Sequence, residues 1–473
     1  MRSFDAIAVG SGSVYAILEE MIERNPRTKL AVIDKDEPGG ICLTRGCIPS
    51  KMLLYPADVV RLLERSAEFG VHSTLSSVSF AEVMHRMHHR VDPGIERAGN
   101  TFSTSENLAY FRAPAQFVAP STLEVAGERL TAPLIFLCTG SQPRIPSIPG
   151  LADSGFLTSD TVLQLEELPA RLGILGGGFI ACEYAHFFSA MGAQVTLVGH
   201  NSRLLPDEDP EVSQFVAGAL GQRVGLRLNQ EVLAVERTSA GSVAVHHRTR
   251  DTGDLSSVEV DRLLVATGRE PTSGILHPER AGVSQTPVGW IRVNEFLETT
   301  APGVWAMGDA TGRFPFKHKA NYDATVVLHN ALDGTRTAVD YHAVPHAVFT
   351  DPEVAGVGLT EPEALSEVGP DRLLVGRCRM EQTVKGQAMG ATGFCKALVE
   401  KDSLRILGTH IVGPHASLLV QEVVTLLNTP SRSAAPIIDG MHIHPALSEV
   451  VDWAFARLLP YRAARAPPTG GAG

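Results

Sequence analysis

Two strand–glycine-turn–helix–strand units, opening at Gly10 and Gly176, and a change of texture from about Pro345 predict an α/β chain. The fold expected is two Rossmann-like dinucleotide-binding domains followed by a C-terminal α+β domain. The pattern is an apolar run ending in glycine, then helix-length sequence, then a second apolar run. It describes a parallel βαβ unit whose strands are buried on both faces. One such unit is a weak signal, since many glycine turns simply join a strand to a helix. Two in one chain, about 165 residues apart, point to two dinucleotide sites.

In the first unit the apolar residues 4–9 end in Gly10-Ser11-Gly12, a helix runs to about Arg24, and the strand Leu30–Ile33 is closed by Asp34. The glycines let the backbone approach a pyrophosphate at the helix N-terminus, and Asp34 can accept from a ribose hydroxyl. Tyr15 stands where a third glycine is usual. In the second unit the strand from Arg171 leads into Gly176-Gly177-Gly178, with Ala181 completing the fuller GxGxxA form. A helix runs to Met191, and a strand follows over 195–198. The position after that strand is Gly199, followed by His200, Asn201, Ser202 and Arg203. An acid there selects a ribose 2′-hydroxyl. Its absence, with His200 and Arg203 close by, suits a 2′-phosphate, so NADP(H) is expected over NAD(H). Both side chains could equally be solvated loop residues.

The stretches 134–141 and 263–269 each end in Thr-Gly (Thr139-Gly140 and Thr267-Gly268) and read as strands where the chain leaves one nucleotide domain for the next. A strand over 299–309 ends in Gly308-Asp309, which places Asp309 either as a ligand at a strand's C-terminal end or as the N-cap of the following helix. Beyond 345, residues 344–350 and 396–400 read as strands of a separate antiparallel sheet, with helices near 360–367 and 416–427. The segment His442-Ile443-His444-Pro445, with Glu449 close behind, leads into an amphipathic helix. Residues 465–473 are rich in Pro, Gly and Ala and are expected to be disordered.

The stretch from Gly39 to Lys51 holds Cys42 and Cys47, with a glycine before the second cysteine and Pro49 after it. Five residues of regular helix would part the Cα atoms by about 8 Å, whereas a disulfide needs about 4.4–6.8 Å. The segment is therefore expected to be a distorted helix start, with Gly46 and Pro49 permitting a kink and a first turn. A thiol there feels the positive helix end, which favours thiolate. This is the pattern of a redox-active dithiol; two inert core thiols are the alternative. The other four cysteines (Cys138, Cys182, Cys378, Cys395) are scattered singly, which argues against a disulfide framework, and no metal-ligand spacing surrounds the pair.

Composition bounds the function. At 473 residues the chain holds two to four domains, and a net charge of −11 argues against nucleic acid or an anionic membrane as partner. No apolar run reaches membrane-spanning length, and the N-terminus enters a strand without a signal-like segment, so a cytoplasmic protein is expected.

Taken together, these residues resemble the FAD-dependent pyridine-nucleotide disulfide oxidoreductases, which include dihydrolipoamide dehydrogenase, glutathione reductase and mycothione reductase. The resemblance covers about 4–460. It rests on Gly10 and Gly12, the CxxxxC motif with Lys51, Gly176, Gly178 and Ala181, both Thr-Gly strands, Gly308-Asp309, and the His444-Pro445…Glu449 tail. It implies FAD at the first site, contacted by Gly10, Gly12, Asp34, Gly40, Lys51, Thr139, Gly140 and Asp309. NAD(P) would lie at Gly176, Gly178, Ala181, His200, Arg203 and Gly268. Cys42 and Cys47 would form a redox-active disulfide, Cys47 touching the flavin and Cys42 exchanging with substrate. Lys51 would pair with Glu183 beside the flavin. His444, held by Glu449, would be the acid–base and reach the other subunit's site, so a homodimer is implied.

The same resemblance sets the domain bounds at 1–148 with 269–342 (FAD), 149–268 (NAD(P)) and 343–464 (dimerisation). The substrate implied is a small disulfide or dithiol, turned over by an NADPH-driven reductase of mycothione type or by a dihydrolipoamide dehydrogenase. Arg45, between the cysteines, replaces a residue usually small or apolar in the family and is expected to touch an anionic substrate. The alternative is a redox sensor, or a subunit of a multienzyme complex, that uses the same dithiol without turnover of a free small molecule.

Overall fold

The computed structural model describes residues 1–464, and the stretch 465–473 expected to be disordered lies outside them. Two five-stranded parallel sheets and one six-stranded antiparallel sheet organise the chain. In the first sheet the spatial order is Val304–Ala306, Leu134–Leu137, Ala6–Val9, Leu30–Ile33, Leu108–Phe111. The second runs Leu157–Thr158, Arg262–Val265, Arg171–Leu175, Gln194–Val198, Gly225–Arg227. The central strands are buried along their length because helices and neighbouring sheets cover both faces. Ile7 and Leu172 are fully buried there; a side chain of that size contributes about 1.5–3 kcal/mol when taken out of water.

The two parallel sheets repeat one plan. Each glycine-turn strand is central, pairs in register with the strand that closes its βαβ (Ala6↔Leu30, Arg171↔Gln194), and has the Thr-Gly strand on its other side. Each also carries an antiparallel insertion before that Thr-Gly strand. In the first it is Ala115–Ala119, Thr122–Val125 and Glu128–Thr131, edged by the N-terminal Arg2–Ser3; in the second it is Gln230–Arg237, Val243–Thr249 and Leu255–Val260. The two Thr-Gly segments then meet as a short ribbon, Ser141–Pro143 against Arg269–Pro271, where the chain passes between the units.

The third sheet runs His346–Val348, Val354–Gly358, Ile406–Val412, Phe394–Glu400, Leu373–Arg379, Leu459–Pro460. Helices Glu361–Val368, Gln421–Leu427 and Glu449–Ala456 pack on it. It is fastened to the second nucleotide unit by Lys396, whose buried ammonium lies 2.8 Å from Asp209 and 2.7 Å from Glu361. Such a buried pair holds only because each charge has its partner, and removing one partner is strongly destabilising. Among the described residues no helix is long and apolar enough to cross a membrane.

Candidate functional site

The dithiol is built on a broken helix. Gly40–Thr44 forms a short helix, Arg45 and Gly46 make a two-residue joint, and Cys47–Glu64 begins a second helix with Cys47 as its first residue. Arg45 N–H still donates to Ile41 O at 3.0 Å, so the joint is one tight turn. A Cβ on Gly46 would stand 2.9 Å from Ile41 O, so the turn has no room for a side chain. The break brings the two thiols within interaction range on the cavity wall, the Cys42 thiol acting as hydrogen-bond donor toward the Cys47 sulfur. Accepting that bond is the main cause lowering the Cys47 thiol to about 7, with the nearby Lys51 ammonium adding and burial opposing. Cys42 is pushed in the opposite direction, first by that same bond and then by burial. The two thiols therefore differ in acidity, Cys47 ionising the more readily and Cys42 the less.

Lys51, one turn along the same helix, donates to both oxygens of Glu183, at 2.9 and 2.8 Å. Glu183 belongs to the helix Phe179–Met191 that follows the second glycine turn, so this ion pair joins the two nucleotide units. Glu183 also accepts from Phe349 N (3.1 Å), and the Lys51 ammonium lies 5.0 Å from the Phe349 ring centroid.

These groups open on a cavity of about 1360 Å³, which takes in Gly10, Gly12, Asp34, Gly40, Thr139, Gly140 and Asp309 as well as the dithiol, Lys51 and Glu183. At its floor Gly10 has φ +98°, and a Cβ there would be 2.2 Å from Cys138 O. Asp34 accepts from Ser11 N (2.9 Å), Ser11 Oγ (2.6 Å) and Asp36 N (3.0 Å), which fixes the glycine turn. Asp309 accepts from Ser141 Oγ (2.7 Å), which in turn accepts from Arg269 Nε (2.7 Å). Ser11, Ser141 and Arg269 escaped sequence reading. Arg269 directly follows Gly268, and a cation beside a strand-end Thr-Gly was the signal available. Lys317 Nζ, 2.9 Å from Ser13 Oγ, also reaches the first glycine turn.

The residues present fit a flavin dinucleotide. Gly12 and Gly10 leave a bare backbone cradle at the start of the helix Tyr15–Arg24, and Thr139 Oγ1 is buried on the cavity wall without a hydrogen-bond partner among the described residues.

The second glycine turn lies outside this cavity. Gly176 (φ +136°) would place a Cβ 2.2 Å from Ala266 O, Gly178 N-caps its helix, and Ala181 is buried. His200 and Arg203 are exposed beyond the strand end, and Gly268 (φ +111°) closes the adjoining Thr-Gly strand. Structure adds cations that the motif could not show. Arg227 ends the neighbouring strand opposite Val198. Arg248 pairs with Glu231 at 2.6 Å, while Arg250 N bonds to Asn229 O, and Asn229 N to Asn201 O.

His444 and Glu449 are likewise outside the cavity of their own chain. His444 Nδ1 is 2.8 Å from Glu449 Oε1, and the other carboxylate oxygen accepts from Ala446 N at 3.1 Å. The bond to His444 is the main cause holding the Glu449 carboxyl below its ordinary range. The His444 side chain is 66% exposed and Glu449 is buried, so the imidazole is held at its base and presented outward. Arg45, expected to touch an anionic substrate, lines the cavity and is tied there to Asp36 (2.6 Å) and Asp160 (3.1 Å).

Comparison with known proteins follows the same division. Residues 6–325 match the family model described as pyridine nucleotide-disulphide oxidoreductase, and 344–455 match the dimerisation domain of that group. Mycothione reductase of Mycobacterium tuberculosis (strain H37Rv) is 36% identical over 468 residues, covering 96% of this chain and 98% of the relative. Dihydrolipoyl dehydrogenase of Chlamydia pneumoniae is 32% identical over 466 residues, 97% of each. Among solved structures, the Cu(II) complex of the HOCl-induced flavoprotein disulfide reductase RclA from Escherichia coli superposes with a TM-score of 0.86 at 28% identity, covering 96% of this chain and 99% of that one.

Proposed function

The chain belongs to the pyridine nucleotide-disulphide oxidoreductase family, and we propose that within it the protein is an NADPH-driven reductase of a small disulfide of the mycothione type. The general activity of the family holds for this chain: it is a flavoprotein oxidoreductase linking NAD(P)H, FAD and a redox-active disulfide, on an FAD-binding fold with a dimerisation domain that supports a homodimer. The observation that carries the finer reading is Gly199, which leaves the strand end of the second unit without a carboxylate, beside 36% identity to mycothione reductase along the chain; Cys42 and Cys47, with Lys51 and Glu183 beside them, carry the disulfide chemistry itself.

FAD, when bound, passes the electron pair between the nicotinamide and the dithiol. Gly10, Gly12 and Gly40 give its phosphates a backbone free of side chains, Asp34 and Asp309 supply acceptors for its hydroxyls, and Thr139 and Gly140 close the wall. Lys51, oriented by Glu183, places its ammonium near Cys47 and adds to the lowering of that thiol, whose main cause is the bond from Cys42. Cys42 is the nucleophile toward substrate, and attack on a disulfide needs it to lose its proton. His444 of the partner subunit is suited to take that proton: Glu449 fixes Nδ1 as the donor, which leaves Nε2 as the base.

NADP(H) binds at Gly176, Gly178, Ala181 and Gly268, with His200 and Arg203 facing the 2′-phosphate. Support comes from Gly199, which puts no carboxylate at the strand end, and from Arg227, which ends the neighbouring strand opposite Val198. The domain bounds that go with this reading are 1–148 with 269–342, 149–268 and 343–464, and the compartment is the cytoplasm. A second reading, dihydrolipoamide dehydrogenase, is favoured by the 32% identity that runs the length of the chain.

The test is steady-state turnover with NADPH and NADH against a mycothione-type disulfide, lipoamide and oxidised glutathione. Preferred NADPH oxidation with the first supports the reading; exclusive NADH–lipoamide exchange replaces it with the second. Cys42→Ser and His444→Gln homodimers should each lose turnover by at least about a hundredfold while keeping FAD. Mixed dimers of the two should recover it, because one of their two sites carries an intact Cys42 and the partner's intact His444. Absence of recovery in mixed dimers would remove His444 from the partner's site.

A further inference from the structure

Arg45 is the residue between the two cysteines whose side chain has somewhere definite to go. Its Nη2 donates to Asp36 Oδ2 at 2.6 Å, its Nε to Asp160 Oδ2 at 3.1 Å, and its Nη1 to Thr44 Oγ1 at 3.2 Å. The guanidinium is three-quarters buried, so these are more than surface pairs in free exchange with water. Asp36 lies just past Asp34 in the first nucleotide unit, with its backbone N bonded to Asp34 and its carboxylate also 2.8 Å from Lys35. Asp160 comes from the segment that enters the second unit, where its backbone N bonds to Thr158 Oγ1 (3.2 Å). One planar fork thus spans two segments far apart in sequence and anchors them to the joint between the helices of the dithiol.

We propose that Arg45 is a positioning residue for the redox pair: by bridging Asp36 and Asp160 it holds the Arg45–Gly46 joint in the turn that brings the two sulfurs together, so that closure of the disulfide is favoured, and it takes no part in recognising the charge of the substrate. The reason is geometric. Cys42 and Cys47 lie on different helices, and the two backbones that carry them are joined only through residues 45 and 46. Backbone bonds from Arg45 N to Ile41 O and from Ser50 N to Gly46 O shape the joint from within, and the Arg45 side chain ties it to segments outside. Its single positive charge faces two carboxylates, Asp36 and Asp160, which leaves the guanidinium without spare charge for an anionic ligand. This inference rests on the reading of Cys42 and Cys47 as the reacting pair.

The test is a redox titration of the flavin-loaded protein in dithiothreitol buffers, without pyridine nucleotide, followed by acid quench, alkylation and mass analysis of the peptide carrying both cysteines. In this exchange the enzyme disulfide takes two electrons and two protons from dithiothreitol, which closes to its cyclic disulfide. Arg45→Ala is expected to shift the equilibrium toward the dithiol about tenfold, which is about 30 mV for a two-electron couple. Arg45→Lys should recover part of that shift, and Asp160→Asn should move it in the same direction by less. KM values for oxidised glutathione and for neutral lipoamide should change together.

An unchanged titration in Arg45→Ala, or a rise in KM confined to the anionic substrate, overturns the proposal. Should Arg45→Ala lose its flavin, Arg45→Lys and Asp160→Asn decide by the same measurement. The two readings fail separately. A wild-type protein whose cysteines never close a disulfide at any buffer ratio removes the proposed function, whereas a wild-type protein that closes it and a variant that titrates identically remove only the role of Arg45.

Discussion

The first and second glycine turns are two copies of one steric solution carrying different electrostatics. At both, a glycine of positive φ sits where a Cβ would lie 2.2 Å from a carbonyl oxygen of the adjoining Thr-Gly strand, Cys138 O at Gly10 and Ala266 O at Gly176. At both, the second glycine (Gly12, Gly178) faces open space. They part at the end of the next strand. Asp34 there braces Ser11 and Asp36, while Gly199 offers only backbone, donating to Arg227 O and accepting from Gln230 N. In the function proposed, backbone sterics would set the approach to a pyrophosphate, and a single position with the charges around it would set the choice of nucleotide. The two can change independently.

The strongest way to break that comparison is to fill both turns. Gly10→Ala should yield protein with little or no bound flavin, since the strained φ alone costs about 1–3 kcal/mol and the carbonyl must also move. Gly176→Ala meets the same clash at the other unit and should keep its 450 nm flavin absorbance while losing NADPH oxidation. If both variants lose flavin alike, the two units do not divide the cofactors between them.

A subtler change targets the difference itself. Gly199→Glu restores an acid at the strand end, and the ratio of kcat/KM for NADPH over NADH should fall by at least about tenfold, as expected for one charge-assisted hydrogen bond gained or opposed. The new side chain must displace Leu228, whose Cδ2 lies 2.9 Å from the ideal Cβ. A ratio that does not change would mean that Arg227, Arg248 and Arg250 set the preference without position 199.

The smallest effect concerns the ion pair that bridges the two units. With its folded value lowered to about 7, Cys47 in the reduced protein should react with iodoacetamide at a rate that rises through that pH. Because the folded value lies below the unfolded one, the stability this group adds is complete above the ordinary thiol range near 8.5 and is lost as pH falls through about 7. Lys51→Met should move the midpoint of the alkylation profile upward, toward the ordinary thiol range, with FAD still bound. A profile that stays in place would leave the hydrogen bond from Cys42 as the whole cause.

Much of this architecture was legible in the sequence because parallel strands buried on both faces write themselves as unbroken apolar runs, as at Leu30–Ile33 and Arg171–Leu175. The antiparallel insertions were legible only as β-rich stretches ahead of the two Thr-Gly strands. Thr122–Val125 alternates polar with buried apolar residues over only four positions, too few to fix a register, and Gln230–Arg237 mixes charged with apolar residues without regular alternation. The long helix Phe80–Thr104 also went unread, although Ser79, whose Oγ accepts from Glu82 N, marks its start and Pro93 inside it obscures the pattern. At the site, the cysteines, Lys51 and the glycines could be named from local spacing. The partners of Arg45 could not, because Asp160 is brought to it by the path of the chain between units, and no local pattern records a contact across 115 residues.

The outward-facing imidazole has a consequence for gene dosage. In the arrangement proposed, a subunit carrying both Cys42→Ser and His444→Gln would disable either centre of any dimer it entered, since one centre would lack its nucleophile and the other its base. Coexpressed with the intact chain, such a polypeptide would act as a dominant inhibitor, silencing healthy copies in proportion to how freely the two kinds associate.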